Sequence, residues 1–488
     1  MSFYWADLHN HNDVGYGKGT LDRSYLLAEN TLDIYAFTPH GFWPDPPASD
    51  PKLAQYHVEQ FDRISAAFTR VIEMANARYR PGRFVTFIAY EWHSEAWGDY
   101  VVLFPGDTGE LFRARNLDEL KSFARRAGAL LIPHHVAYRH PWRGLDWPGL
   151  DADLSPVAEV FSEHGNSLER DALHPMILHS MGGVTRSQTV LEQLRRGRHV
   201  GFTAGTDDHF GYPACYGEGL TAVAAAGLTR EAVFAALKAR HTAVVTGDRI
   251  EIDVRCGEAV MGDVAPAGSP RRFDIAVHPL APLDYVQVLR NGEVASIWPG
   301  PVSSAAAGPG RAIVPIDWGW GRMGHSELTD WTIEVEVADI SIERVLPCFC
   351  GGPAIDRVNT ATIKSPVCAA IRSFTSRQNS RPISGVILIL NAGPAARVRL
   401  KVSARAEDGQ GDCTIDVALA DLYRDDAWAK PLARFSSPRL RIGQAHRADA
   451  IAFRTEWRDP APAAPATYII KAQQKNGQCA WTSPILFK

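Results

Sequence analysis

The sequence predicts an α/β N-terminal half, a barrel of alternating strands and helices, followed by an all-β, sandwich-like C-terminal half. Three observations predict it. From Phe3 to about Val245, short apolar runs alternate with segments of helical period. From about Asp248 onward, apolar and polar residues alternate in period two between turn residues. Histidine is unevenly spread: of 17 in 488 residues, only His278, His325 and His446 follow His241. The boundary falls near residue 247, giving one unit of residues 1–247 and a β-rich region of residues 248–488 with one or two subdomains.

Each element of the first half has its own reason. Phe3-Tyr4-Trp5-Ala6 is an apolar strand running into Asp7-Leu8-His9-Asn10-His11, where period two puts His9 and His11 on one face. A glycine-rich loop (Gly15, Gly17, Gly19) leads to a helix over Leu21–Thr31, and the strand Leu32-Asp33-Ile34-Tyr35-Ala36-Phe37-Thr38 ends at Pro39-His40. A long helix over 53–79 closes at Pro81-Gly82. The nearly continuous apolar run from Phe84 to Tyr90 reads as a strand buried on both faces and ends at Glu91-Trp92-His93. The pattern then repeats. A helix over 117–127 and strand 129–132 end in His134-His135; strand 157–161 ends in Glu163-His164. A helix over 188–196 and strand 200–204 end in Asp207-Asp208-His209. A helix over 230–240 and strand 242–245 complete the half. In parallel α/β barrels the carboxyl ends of the strands share one mouth, so ligand-type residues after six strands predict a converging polynuclear metal site.

In the second half, Ile250-Glu251-Ile252-Asp253-Val254 and Trp331-Thr332-Ile333-Glu334-Val335 alternate as half-buried strands, whereas Val386-Ile387-Leu388-Ile389-Leu390 is apolar throughout. This half reads as structural, packing on or assembling the first, with Trp318-Gly319-Trp320 serving packing and no histidine beyond 247 binding the metal centre. Composition narrows the function classes. With 45% hydrophobic and 22% charged residues the chain is ordinary globular protein, and a net charge of −4 gives no pull toward nucleic acid or an anionic membrane. No signal-peptide pattern opens the chain, which reads as cytoplasmic if Met1 is the natural start. Seven cysteines make no disulfide framework, and Cys348-Phe349-Cys350, without a second pair at zinc-finger spacing, reads as buried and structural.

His9-x-His11, His40, Glu91, His134, His164 and Asp207-Asp208-His209 resemble the polymerase-and-histidinol-phosphatase (PHP) superfamily of metallohydrolases, in particular a poorly characterised branch with a C-terminal β-rich extension. Tyr4-Trp5-Ala6-Asp7-Leu8-His9-Asn10-His11 near the start and Gln478-Cys479-Ala480-Trp481-Thr482-Ser483-Pro484-Ile485 near the end carry the whole-chain likeness. The resemblance implies a distorted (β/α)7 barrel over residues 1–247 with two or three divalent ions, Zn, Mn or Fe. It implies that His9, His11, Glu91 and Asp207 hold a first ion. Glu91 would bridge to a second, held also by His134 and His164, and His40 and His209 would serve a third. Two departures stand out: Pro39 replaces the usual Asp before His40, and the first loop offers only Asp13, with Tyr16 as a weak alternative. His134 and His135, adjacent and extended, would point apart, and His134 sits at the family spacing.

The expected chemistry is hydrolysis of a small anionic ester, phosphate or sulfate, by a metal-bridged hydroxide, since no Gly-x-Ser-x-Gly elbow is present. Glu91 and Asp207 are its core, and Arg139 and His140 follow His134 closely enough to grip a non-bridging oxygen. His93 and Arg186 are further helpers. The aromatic run from Trp92 to Trp97 suggests an aryl leaving group. The partner is thus a small anionic substrate, with no nucleic acid and no membrane; homo-oligomerisation is left open. The alternatives are hydrolysis of a carboxylic ester, lactone or amide, and a non-catalytic, metal-stabilised binding or scaffold module.

Overall fold

The computed structural model describes all residues except 1, 48–49, 180–181, 303–308, 320–327, 353, 377–382, 408, 433–436 and 463–464. Trp320 and His325 lie outside the described residues.

The first half contains strands β1 (Ser2–Asp7), β2 (Ile34–Phe37), β3 (His40–Phe42), β4 (Val85–Trp92), β5 (Tyr100–Leu103) and β6 (Leu130–Pro133). Strands β7 (Val157–Ser162), β8 (Gly165–Asn166), β9 (Gly201–Ala204), β10 (Leu220–Ala225) and β11 (Thr242–Val245) follow. Its helices are α1 (Leu21–Thr31), α2 (Pro51–Arg78), α3 (Leu117–Ala127), α4 (Val190–Arg195) and α5 (Arg230–Lys238). Helix boundaries follow local chemistry. Thr20, Asp50, Asn116 and Thr229 each accept a first-turn backbone N–H, and Gly128 closes α3 with φ of 65°. Helix α2 buries His57, Phe61, Ile64, Phe68, Val71 and Ala75, the three-to-four spacing of one helical face, and this stripe lies against β3 and β4.

These elements do not form the expected (β/α)7 barrel. The molecule is mostly β, and its main sheet is an open, mixed one of fourteen strands. Strands β1, β2 and β4 are parallel, but β4–β5, β5–β6, β1–β10 and β10–β11 are antiparallel. Among the described residues of this half, β3 pairs parallel with β4, and β7 with β9 in a separate three-stranded sheet with β8. The physical reason lies in the connections. The link from β4 to β5 is the short stretch 93–99, which can close a hairpin but cannot carry a parallel crossover, which needs a dozen or more residues. Periodicity reports which face of a strand is buried, not the direction of its neighbour.

Nor is the second half a separate sandwich. It contributes six strands to the fourteen-stranded sheet, joined where Cys479–Thr482 pairs antiparallel with β11. The remainder forms a nine-stranded sheet built around Leu328–Cys348 and Ile383–Ala406, and a four-stranded sheet that includes Glu251–Cys256 and Arg272–His278. Trp318 is buried in the core of the nine-stranded sheet, and Cys350 is buried there too. Among the described residues no helix is long and apolar enough to cross a membrane.

Candidate metal centre

The ends of β1, β2, β4, β6, β7 and β9 point their following residues at one place. His9 and His11 leave β1, and His40 begins β3 beside Glu91, its register partner on β4. His134 and His135 follow β6, His164 follows β7, and Asp207 and His209 follow β9. All but the partly exposed His209 are buried. Asp207 has φ of 55°, a left-handed conformation that an aspartate tolerates, and its two carboxylate oxygens face different histidines. Gly205 makes this approach feasible: a Cβ there would stand 2.6 Å from the Cβ of His9 and 2.7 Å from Glu159 Oε2.

Four donor atoms form the centre of the cluster: His9 Nε2, His11 Nε2, Glu91 Oε2 and Asp207 Oδ1. The two nitrogens are 3.2 Å apart. Asp207 Oδ1 is 3.3 Å from His9 and 2.9 Å from His11; Glu91 Oε2 is 3.5 and 3.3 Å away. Tetrahedral coordination at zinc–nitrogen bond lengths requires edges of about 3.3 Å. Two ring N–H groups cannot point at each other across 3.2 Å, so at least one lone pair faces inward. Glu91 Oε2 is buried without a hydrogen bond, although His40 Nε2 is also 3.6 Å away. These donors fit a first-row divalent ion.

Adjoining groups extend the set. His11, His40 and His209 bring their ligand atoms within 4.8 Å of one another, and so do His135, His164 and Asp207. Glu91, Asp99, His134 and His135 form a further such group. The arrangement thus places His40 and His209 beside His11, and gives His164 a neighbour in His135 as well as in Asp207. His134 and His135 do not point apart. His135 has φ of 32°, which turns its ring back until the two centroids are 4.5 Å apart. His134 Nε2 lies 2.8 Å from Glu91 Oε1, and His135 Nε2 lies 3.2 Å from Asp99 Oδ2.

Outer partners fix ring orientation. His9 Nδ1 is 3.1 Å from Glu159 Oε2, so a proton held there leaves Nε2 free to bind metal. His209 donates from Nδ1 to the Asp207 carbonyl at 2.8 Å, with Glu163 at 3.2 Å; although burial opposes it, Glu163 and Asp207 push its pKa up to about 9, so an ion bound at Nε2 would displace a proton. The Tyr138 hydroxyl is 2.8 Å from His164 Nδ1. Burial opposes charge on Glu91 and Asp207, yet the surrounding histidines hold both carboxyls well below the usual range. Burial and the neighbouring His209 push His11 down to about 3; burial and His134 do the same to His135. His11 and His135 are therefore neutral, the form that ligates, whereas Asp207 and Glu159 hold His9 well above the usual range against the effect of burial, so an ion there would displace a proton.

The cluster forms the floor of a cleft of about 720 Å³. Three of the expected helpers, Arg139, His140 and Arg186, do not line it. Arg139 is exposed and lies over the Trp142 ring, and the exposed His140 contacts the Ala96 carbonyl at 3.0 Å. Arg186 is exposed in a short 3-10 turn. The arginine lining the cleft is Arg143, paired with Asp99 and donating to His93 Nδ1 at 2.8 Å. Trp92 does not line the cleft but packs in the core beside Trp97 and Tyr100. Sequence reading missed Asp99, Glu159 and Arg143, and named Glu163 only as a strand-end residue without a role. Glu159 had a signal, a lone carboxylate inside the apolar strand Val157-Ala158-Glu159-Val160-Phe161. Arg143 had none, because its loop carries no period.

No family model matches the chain. An uncharacterised protein of Chlamydia pneumoniae, CPj0512/CpB0533, is 31% identical over 178 residues, covering 33% of this chain. The chain spans only 28% of that relative's length.

Proposed function

We propose that the protein is a metal-dependent hydrolase of small anionic esters, phosphate or sulfate, related to the PHP superfamily through its ligand pattern rather than through a barrel. The observation that carries this reading is that Asp207 Oδ1 and Glu91 Oε2 each lie 2.9–3.5 Å from the Nε2 atoms of both His9 and His11, which are themselves 3.2 Å apart. When bound, divalent ions at such a site lower the pKa of water and neutralise oxyanion charge. The chain's own groups then have defined tasks. Glu159 orients His9, and the main-chain carbonyl of Asp207 orients His209. Glu91 faces His9, His11 and His40 with one oxygen and His134 with the other, as a bridge between two ions requires. Arg143 supplies positive charge on the cleft wall. Glu91, Asp207 and Glu95 make the metal-free cleft acidic, so an anionic substrate needs the cations in place. Among the described residues lining the cleft there is neither serine nor cysteine, consistent with direct attack by water.

The test is elemental analysis of the purified protein for Zn, Mn and Fe, followed by single-turnover hydrolysis of aryl phosphate and sulfate esters in ¹⁸O-labelled water. The label is expected in the released phosphate or sulfate. Label in the alcohol would mean attack at carbon. Bound metal without turnover over phosphate, sulfate and carboxyl esters would leave a metal-stabilised binding module instead.

A further inference from the structure

Resting on the reading that the site takes an anionic ester, we infer that the cleft selects esters whose leaving group is an uncharged, flat aromatic ring, received by Trp43, His57 and Leu53. The cleft is far larger than a phosphate or sulfate head requires; about 300–1,000 Å³ is the range that holds a drug-sized ligand. Its wall is a continuous aromatic run leading away from the metal ligands. Tyr16 stacks on His40 with centroids 3.6 Å apart and meets His57 edge-on at 5.1 Å. His57 in turn meets Trp43 at 5.1 Å, and the Arg143 guanidinium lies 5.0 Å from the Trp43 ring centroid.

Helix α2 delivers this wall: His57 lies on its buried stripe, and Leu53, one turn earlier, is 39% exposed at the cleft edge. Trp142, also half-exposed, lines the same cleft. The anionic head would thus sit between the metal ligands and Arg143, with its leaving group lying along Trp43. Trp43 Nε1, His57 Nδ1 and Arg143 Nε are buried and have no hydrogen-bond partner in the protein. A sugar or polyol leaving group has more hydroxyls than these three nitrogens could pair and would desolvate the rest against Leu53 and indole, and a second anionic group would meet Glu95. A flat apolar ring meets neither obstacle and gains stacking area.

Binding of non-hydrolysable oxyanions to the metal-loaded full-length protein tests this without the differing reactivity of leaving groups. Calorimetry would compare phenylphosphonate with methylphosphonate, and benzenesulfonate with methanesulfonate. The phenyl member of at least one pair should bind about tenfold tighter or more, as burial of one ring implies. That preference should fall below about threefold in Trp43→Leu and in Leu53→Asp with metal content unchanged, since both remove apolar ring contact. Leu53 is partly exposed, so its variant decides the matter if Trp43→Leu loses metal. Equal affinities in the unmodified protein, or a preference surviving in Leu53→Asp, would overturn the inference and leave the ester reading standing. No binding of any of the four to metal-loaded protein would remove that reading and the inference with it.

Discussion

Glu91 and His140 sit 49 positions apart in the sequence and represent opposite ends of the site's physics. Glu91 is buried among imidazoles on both of its oxygens, so its charge is the counterpart of several lone pairs and of any cation they hold. His140 is exposed and touches one carbonyl. Glu91→Gln keeps the shape but removes the charge and one acceptor oxygen. Metal content should fall, and turnover by roughly 100-fold or more, since in the proposed centre Glu91 would serve two ions. His140→Ala should change stability by less than about 0.5 kcal/mol, the usual range for an exposed side chain away from special features. Metal analysis, ester turnover and urea denaturation of both variants check this. Full metal stoichiometry in Glu91→Gln would remove Glu91 from the centre.

At the scale of elements, the loop that follows β9 depends on close approach to β1. Asp7 accepts from the Thr206 amide at 3.0 Å, the Thr206 hydroxyl at 2.7 Å and the Ala214 amide at 3.0 Å, which fastens both ends of the Asp207-bearing loop to one strand. Immediately before Thr206, Gly205 lies so near His9 that any side chain must displace it. Gly205→Ala should therefore destabilise the fold by about 1–3 kcal/mol, the typical cost of overpacking. It should also weaken metal binding, because His9 would have to move. Denaturant titration with and without metal reads both effects; an unchanged midpoint and unchanged metal affinity would contradict this account of the loop. These elements also show what the sequence could tell. Polar residues after apolar runs located His9, His11, His40, Glu91, His134, His164, Asp207 and His209, because a strand end is a local feature and its side chains must leave the core there. What stayed hidden was non-local. The short strands β5 and β10, and the antiparallel pairing they make, depend on partners far along the chain, and Arg143 reaches the cleft from a loop with no period. His135 was set aside on the assumption of an extended backbone, which its positive φ contradicts.

For the whole molecule, the question is why a site built by residues 9–209 is accompanied by a mostly β second half of some 240 residues. Two contacts give a physical answer. The first is the sheet itself: Ala243, Val244 and Val245 pair with Thr482, Trp481 and Ala480, and Ser483 Oγ accepts from the Phe202 amide next to the Asp207-bearing loop. Without the last strands β11 would be an open apolar edge, a template for aggregation. The second contact holds the loop after Asp207 from outside. Tyr216 donates its amide to the Phe349 carbonyl at 2.8 Å, Asn359 bonds the Tyr212 hydroxyl, and Arg23 Nε donates to the Arg357 carbonyl at 2.7 Å. Tyr212 in turn donates its amide to Asp208 at 2.8 Å, beside the proposed ligand Asp207. A fragment of residues 1–247 should therefore fail to form a monomeric, metal-binding protein, even though every proposed ligand lies within it. Co-expression with residues 248–488 should restore solubility and metal content together, because the missing strands and the 349–359 segment would return as one piece. Size-exclusion chromatography with elemental analysis distinguishes the outcomes. A soluble, metal-loaded fragment 1–247 would show that the loop and the β11 edge are stable unaided, and that the second half has some task other than supporting the site.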